Sequence, residues 1–234
     1  MSRHDSLALV LFAAVSLFAQ DSKSASTPAA APNASAPAPK VVFKTIVPVV
    51  YNTKAEKKRL LGRVDLAVFF NEKGVVDKVD VLSGDPVLAA NASSFVKRWE
   101  IAPYVVDGVA CPVKLDYSLQ FVIKSVEDEV PDTDTDTLAH LVLSEKANMA
   151  RRWIKKGAPS YPLSAKESRI QGKVRLAAVI GTDGRVALLT ALSGQESLVS
   201  SASDAVKQWR YEPLLVHGKP VSYNTLIIVK YILN

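Results

Sequence analysis

The chain of 234 residues carries one cysteine, Cys111, and three histidines, His4, His140 and His217. One thiol cannot close an intramolecular disulfide, and a cysteine-rich metal site needs more than one. Cys111 therefore reads as a half-buried packing residue. No His-Glu-x-x-His, Gly-x-Ser-x-Gly, Cys-x-x-Cys or phosphate-loop pattern occurs, so the usual frames for metal-assisted, nucleophilic and phosphoryl chemistry are missing. His217 falls in a turn, with no acid or nucleophile repeated beside it. The sequence predicts no catalytic residue, no cofactor and no metal. Aromatics make up 7%, and no stacking motif accompanies the net charge of +6. The basic residues alternate along strands as solvent faces do, which argues against a nucleic-acid partner.

Long apolar runs are also scarce. The longest, Leu7 to Phe18, contains one polar residue, Ser16, and is shorter than the roughly 20 residues that span a bilayer. Arg3 and His4 precede it and the small Ala19 follows, the pattern of a cleaved secretory signal peptide over 1–20. A retained anchor is the alternative. No cysteine follows the run, so a lipid attachment there is excluded. Residues 21–40 are rich in Pro, Ala and Ser and bury nothing. They form a tether with a reach of about 60 Å at about 3.1 Å per residue.

What is present is a duplication. Gly172, Gly184, Ser193-Gly194, Trp209, Pro213 and Gly218 recur 110 positions earlier as Gly62, Gly74, Ser83-Gly84, Trp99, Pro103 and Gly108. A spaced frame of this length reproduced without insertion marks a repeated structural unit. In the first copy Val64, Leu66, Val68 and Phe70 alternate with more polar neighbours, the period of a strand with one buried face. Asn71 to Gly74 then turns the chain. The second strand slips phase at Val76, Val79 and Val81, as at Val186, Leu189 and Ala191, which predicts a bulge in both copies. Asp85-Pro86 starts a helix. Leu88, Ala92, Phe95, Val96 and Trp99 form one helical stripe, repeated as Leu198, Ala202, Ala205, Val206 and Trp209. Both tryptophans read as core anchors, and Pro103 and Pro213 stop the helix. A last strand closes each copy, Val113 to Ile123 and Val221 to Leu233. Matching Cys111-Pro112 to Lys219-Pro220 requires a two-residue insertion in the first copy.

Between the copies, residues 125–157 hold the acidic run from Glu127 to Asp136 and then a helix expected over Thr137–Lys156. Its carboxyl end carries Arg151, Arg152, Lys155 and Lys156, matched to the helix dipole. Charge is uneven: residues 41–124 hold twelve Lys and Arg against nine Asp and Glu, and 146–234 hold fourteen against five. The expected fold class is α+β, with two small domains at 41–124 and 158–234. Each is an antiparallel three-stranded sheet packed by helices in the order strand-strand-helix-strand, and a helical linker joins them.

The second copy with its approach, Ala158-Pro159-Ser160-Tyr161-Pro162, Ala165, Ile170, Gly172, Val174, Asp183-Gly184, Ser193-Gly194, Trp209, Pro213 and Gly218, resembles the carboxyl-terminal domain of the TonB family of energy-transducing proteins. Residues 41–124 resemble a divergent second example, with Tyr51, Ala55 and Arg59 matching Tyr161, Ala165 and Arg169, and Asn52 in place of Pro162. The resemblance implies a binding function without catalysis, in which an extended segment of an outer-membrane transporter joins the sheet as an added strand. It puts the partner-binding residues at Pro159, Tyr161 and Pro162 and along the last strand at Tyr223, Thr225, Ile227, Val229 and Tyr231. The leader lacks the family's serine and histidine four residues apart, and the tether is short for crossing a periplasm. The expectation is a periplasmic binding module with a protein partner and no membrane span after leader cleavage. An inner-membrane-anchored energy transducer for transmembrane transport is one alternative, and a structural envelope protein contacting peptidoglycan is another.

Overall fold

The computed structural model describes residues 15–17, 41–124, 129–130, 140–151 and 153–233. The expected leader and tether lie outside the described residues, apart from β1 (Val15–Leu17), which pairs antiparallel with Val113–Leu115. The first copy runs β2 (Phe43–Thr45), α1 (Thr53–Lys57), β3 (Gly62–Phe70), β4 (Val76–Ser83), α2 (Pro86–Val96), β5 (Glu100–Ile101), β6 (Tyr104–Val106), β7 (Val109–Cys111) and β8 (Val113–Val122). β9 (Leu141–Leu143) and α3 (Glu145–Met149) follow. The second copy runs β10 (Trp153–Lys155), α4 (Leu163–Glu167), β11 (Gly172–Ile180), β12 (Val186–Ser193), α5 (Glu196–Lys207), β13 (Arg210–Tyr211), β14 (Leu214–Val216), β15 (Lys219–Val221) and β16 (Tyr223–Tyr231).

In each copy the long strands form an antiparallel sheet of three, with β3 and β11 central. The expected bulges occur at equivalent points, between Asp65 and Leu66 and between Phe69 and Phe70, repeated at Arg175/Leu176 and Val179/Ile180. Asp85 caps α2 by accepting from Val87 N at 2.8 Å and Leu88 N at 3.2 Å. Leu88, Ala92 and Val96 face the core. The helix ends before Trp99, which lies in the turn to β5 and not on the helical stripe. Its indole donates to Val47 O at 2.9 Å, as Trp209 donates to Gly157 O at 2.7 Å. Both tryptophans are buried and tie the approach segment to the core.

The expected two-residue insertion is absent. Gly62 pairs with Phe121 and Gly172 with Tyr231, so the 110-residue offset persists to the end of the last strand. The matching Cys-Pro and Lys-Pro dipeptides coincide in type only. Equivalence also begins upstream of Ala158: β2 pairs β5 and β10 pairs β13, which makes Phe43 and Trp153 counterparts packed edge-on against Trp99 and Trp209.

The linker departs most from expectation. Residues 137–139 and 152 lie outside the described residues, and Leu141–Leu143, Glu145–Met149 and Trp153–Lys155 form strand, short helix and strand in place of one helix. β9 runs parallel to β8 on one side and to β16 on the other. One sheet therefore runs through both copies in the order β12-β11-β16-β9-β8-β3-β4. Leu141 and Leu143 enter the core of the second copy, and Val142 enters that of the first. Because successive side chains of a strand point to opposite faces, the two cores lie on opposite faces of the shared sheet.

Two frame glycines have a steric reason. Gly74 and Gly184 have φ of 81° and 75°, and a Cβ there would run into the carbonyl oxygens of Ile101 and Tyr211. Those carbonyls belong to residues whose amides donate back to Gly74 O and Gly184 O. Gly218 has a similar φ of 74°, but a Cβ there would meet nothing within 4 Å. Gly184→Ala is expected to cost more than about 2 kcal/mol, and Gly218→Ala only about 1 to 2 kcal/mol for the left-handed backbone. Chemical denaturation of the two variants checks the difference, and equal costs would refute the steric reading.

Candidate functional site

A strand can be added only where a sheet leaves backbone donors and acceptors unpaired. Four edges matter here. β4 and β12 are the two ends of the shared sheet, and the outer sides of β8 and β16 face β9. β9 meets β8 at Gln120–Val122 and β16 at Tyr223–Thr225. On β8 the first residues, Val113–Leu115, pair with β1. On β16, Leu226 to Tyr231 pair with β11 on one side and with no strand on the other among the described residues.

The residues expected to bind a partner distribute as follows. Tyr223, Ile227, Val229 and Tyr231 are buried in the core of the second copy, and Thr225 is fully buried on the same face of β16. What these residues offer at the edge is backbone, and at Tyr223–Thr225 the edge is already paired with β9. Tyr161 donates to Ile170 O at 2.6 Å and packs edge-on against Tyr231 with ring centroids 5.3 Å apart. Tyr51 does the same in the first copy, to Leu60 O at 3.0 Å and against Phe121 at 5.1 Å. The tyrosine thus locks the approach segment to the last strand in both copies. Pro162 precedes α4 without a side-chain cap, whereas its counterpart Asn52 caps α1 by accepting from Ala55 N at 2.7 Å.

The approach segments differ sharply in surroundings. In the first copy Val47 to Tyr51 are all buried, and in the second Gly157, Ala158 and Ser160 are exposed, with Pro159, Tyr161 and Pro162 half-buried. Val47, Val49 and Tyr51 are buried in the first copy's own core, and Val50 is buried between the copies. Val50 forms a small buried cluster with Ala177 and Leu226, flanked by Phe95, Leu192 and Ile228. The sheet face of the second copy opposite its core is thus covered around Ala177 and Leu226 by Val50 and Phe95 of the first, and stays open at Lys173 and Lys230.

These features meet their match outside this chain. The family description for the Gram-negative bacterial TonB protein C-terminal fits residues 47–123 and again residues 157–233. The chain belongs to the TonB carboxyl-terminal family. Among its relatives, Protein TonB of Vibrio cholerae serotype O1 is 32% identical over 75 residues, a stretch covering 31% of this chain and 31% of that protein. The chain therefore matches less than a third of that relative's length. A similar solved structure is the solution NMR structure of Pseudomonas aeruginosa TonB CTD, at 24% identity and a TM-score of 0.32, covering 35% of this chain and 85% of that one.

In this tandem TonB-type chain the joining strand is firmly anchored. Ser144 N donates to Val122 O at 3.0 Å, and Ser144 Oγ donates to Ile123 O at 2.9 Å while capping α3 through Ala147 N. Asn148 on α3 bridges two core tyrosines, donating to Tyr211 OH at 3.3 Å and accepting from Tyr223 OH at 3.2 Å. Across the junction the buried Tyr117 is hydrogen-bonded to the Asn224 side chain and packs on the ring of His140. Sequence reasoning missed β9. Its signal is the uninterrupted Leu141-Val142-Leu143, the pattern of a strand buried on both faces. Among the described residues no helix is long and apolar enough to cross a membrane, and no group of three or more His, Cys, Asp or Glu could hold a metal ion.

Burial pushes the Tyr223 phenol up to about 12, opposed by the nearby Arg151. Burial also raises Tyr51, Tyr117 and Tyr211. A phenol with a raised pKa in the folded state binds a proton that the unfolded chain releases sooner. Its contribution to stability is full below the unfolded value of about 10 and is lost as pH rises through about 12. Circular dichroism followed with tyrosinate absorbance should show the fold and the phenols titrating together in that window. Ionisation of all tyrosines near pH 10 in an intact fold would contradict the burial.

Proposed function

We propose that the protein is a periplasmic binding module that takes an extended segment of a protein partner, such as an outer-membrane transporter, as an added strand on the outer edge of β16 from Leu226 to Tyr231. One observation carries the reading: in the second copy this stretch of the last strand has no strand on its outer side among the described residues, and the approach segment beside it is open to solvent. Backbone amides and carbonyls supply most of the affinity in this mode, and side-chain pockets add selectivity. The partner strand would extend the sheet where β9 leaves it.

The first copy serves as scaffold. Its approach segment is buried, Val47, Val49 and Tyr51 in its own core and Val50 against the second copy, and β9 pairs with the outer side of β8 at Gln120–Val122. Two modules fused through one sheet cannot act as independent binders joined by a flexible linker, so the gain from effective concentration is not the purpose of the duplication. The first copy covers an apolar sheet face that would otherwise be exposed, and β9 sets where the open edge begins.

Titrating isotope-labelled protein with extended transporter-derived peptides tests the proposal. Amide resonances from Leu226 to Tyr231 are expected to shift, while those of Tyr223–Thr225 and of β8 stay in place. Shifts confined to β8, or none on β16, would overturn it.

A further inference from the structure

The two copies are built on one frame, so each residue of the second has a counterpart 110 positions earlier that serves as an internal control. At the end of the sheet beside the open edge the two copies differ in charge, balanced in the first and cationic in the second. In the first, Arg63 lies opposite Gln120, and Asp65 lies opposite Ser118. Asp65 accepts from Arg63 Nε at 2.7 Å and from Ser118 Oγ at 2.6 Å, with Ser83 also donating to it. Burial alone would raise that carboxyl, but the donors from Ser118, Ser83 and Arg63 together with the Arg63 charge hold it below the usual carboxylate range. The cation there is neutralised.

In the second copy the counterparts are Lys173, Arg175, Ile228 and Lys230. Lys173 and Lys230 stand directly opposite each other on β11 and β16, and Arg175 is one pair along on the same face. Lys173 and Lys230 are exposed and Arg175 is half-buried. Among the described residues none of the three takes part in an ion pair. Like charges directly opposite in a sheet are destabilising, whereas in the first copy the single cation Arg63 faces the neutral Gln120 and has Asp65 as its carboxylate partner. The module holding the triad also has the larger basic excess, fourteen Lys and Arg against five Asp and Glu in residues 146–234.

From this we infer that the Lys173, Arg175 and Lys230 triad selects the added strand, and that the preferred partner segment carries a carboxylate on the face it shares with Lys230. The inference rests on strand addition at Leu226–Tyr231 and names the chemistry of the segment. An added strand lies about 4.8 Å from β16 and about 10 Å from β11. Its side chains on the open face become cross-strand neighbours of Lys230. Lys173 and Arg175 sit one strand further in, about a Debye length away at physiological salt. A carboxylate at that position supplies in trans what Asp65 supplies in cis in the first copy. The opposite, core-facing side chains of β16 are buried and uncharged, so selection by charge can act only through the open face.

The test uses the full chain and two eight-residue peptides of alternating valine and threonine, one with two glutamates on one face and one with glutamine in their place. The glutamate peptide is expected to bind about tenfold tighter at low salt, with the ratio shrinking as salt rises. In the Lys173→Gln, Arg175→Gln, Lys230→Gln triple variant the ratio falls to about one, while both peptides still shift the amides of Leu226–Tyr231. Arg175→Asp, which puts a carboxylate where the first copy has Asp65, also lowers the preference. These side chains lie on the solvent face, and an unchanged amide spectrum confirms that the variants fold. A ratio near one in the unsubstituted protein, or a ratio that survives in both variants, overturns the charge selection while leaving strand addition standing. If neither peptide shifts those amides, strand addition itself fails. Binding of phosphatidylglycerol vesicles through the triad with no peptide preference overturns the inference in favour of a lipid surface.

Discussion

Every strand with a neighbour on one side only leaves a row of backbone donors and acceptors to be satisfied, and the arrangement of this protein follows from how it meets that demand. The last strands of the two copies, β8 and β16, would each be an edge in isolation. The chain places one three-residue strand, β9, between them so that a single insertion satisfies part of both. Its alternating side chains then join two cores at once, Val142 on one face and Leu141 with Leu143 on the other. From that follow the continuous sheet, the opposed helical faces, and the contact in which Val50 and Phe95 cover Ala177, Leu226 and Ile228.

The duplication yields asymmetry because the copies pack on each other through different surfaces. The first copy buries its approach segment, Val47, Val49 and Tyr51 in its own core and Val50 in the interface, and keeps a solvent face in which Asp65 balances Arg63. The second keeps its approach segment exposed, presents an apolar patch to the first, and carries a cluster of cations without a carboxylate like Asp65 among them. The two copies of one frame thus differ in which approach segment is open to solvent and in the charge beside the last strand. The shared glycines and tryptophans are accounted for by turns, close backbone approach and a tie to the approach segment. The distinguishing residues lie outside that frame.

Much of this was legible in the sequence. Strand order, the paired bulges, the capped helix and the repeated unit follow from period, turn chemistry and the 110-residue offset, because each is set by neighbours within a few residues or across one hairpin. The linker was not, for a physical reason. Thr137–Lys156 carries a partial apolar stripe and charges suited to a helix dipole, yet propensity is a weak term beside the pairing that two incomplete sheets provide over residues far away in sequence. The same holds for Trp153, read as a helical position. Its 110-residue relation to Phe43 was open to inspection, and its place against Trp209 and Tyr211 follows from that relation. The candidate site was legible as a strand and an approach segment. Which part of the strand remains open depends on β9 and so could not be read locally.

A single fused sheet requires β9 to be a permanent member of both copies. Native-state hydrogen exchange of the Leu141, Val142 and Leu143 amides against denaturant measures this directly. If β9 splices the copies into one sheet, the β9 amides that are bonded into the ladder exchange only through global unfolding, with the same denaturant dependence as those of β3 and β11. Exchange of β9 through local opening insensitive to denaturant, with the two copies unfolding in separate steps, would contradict it.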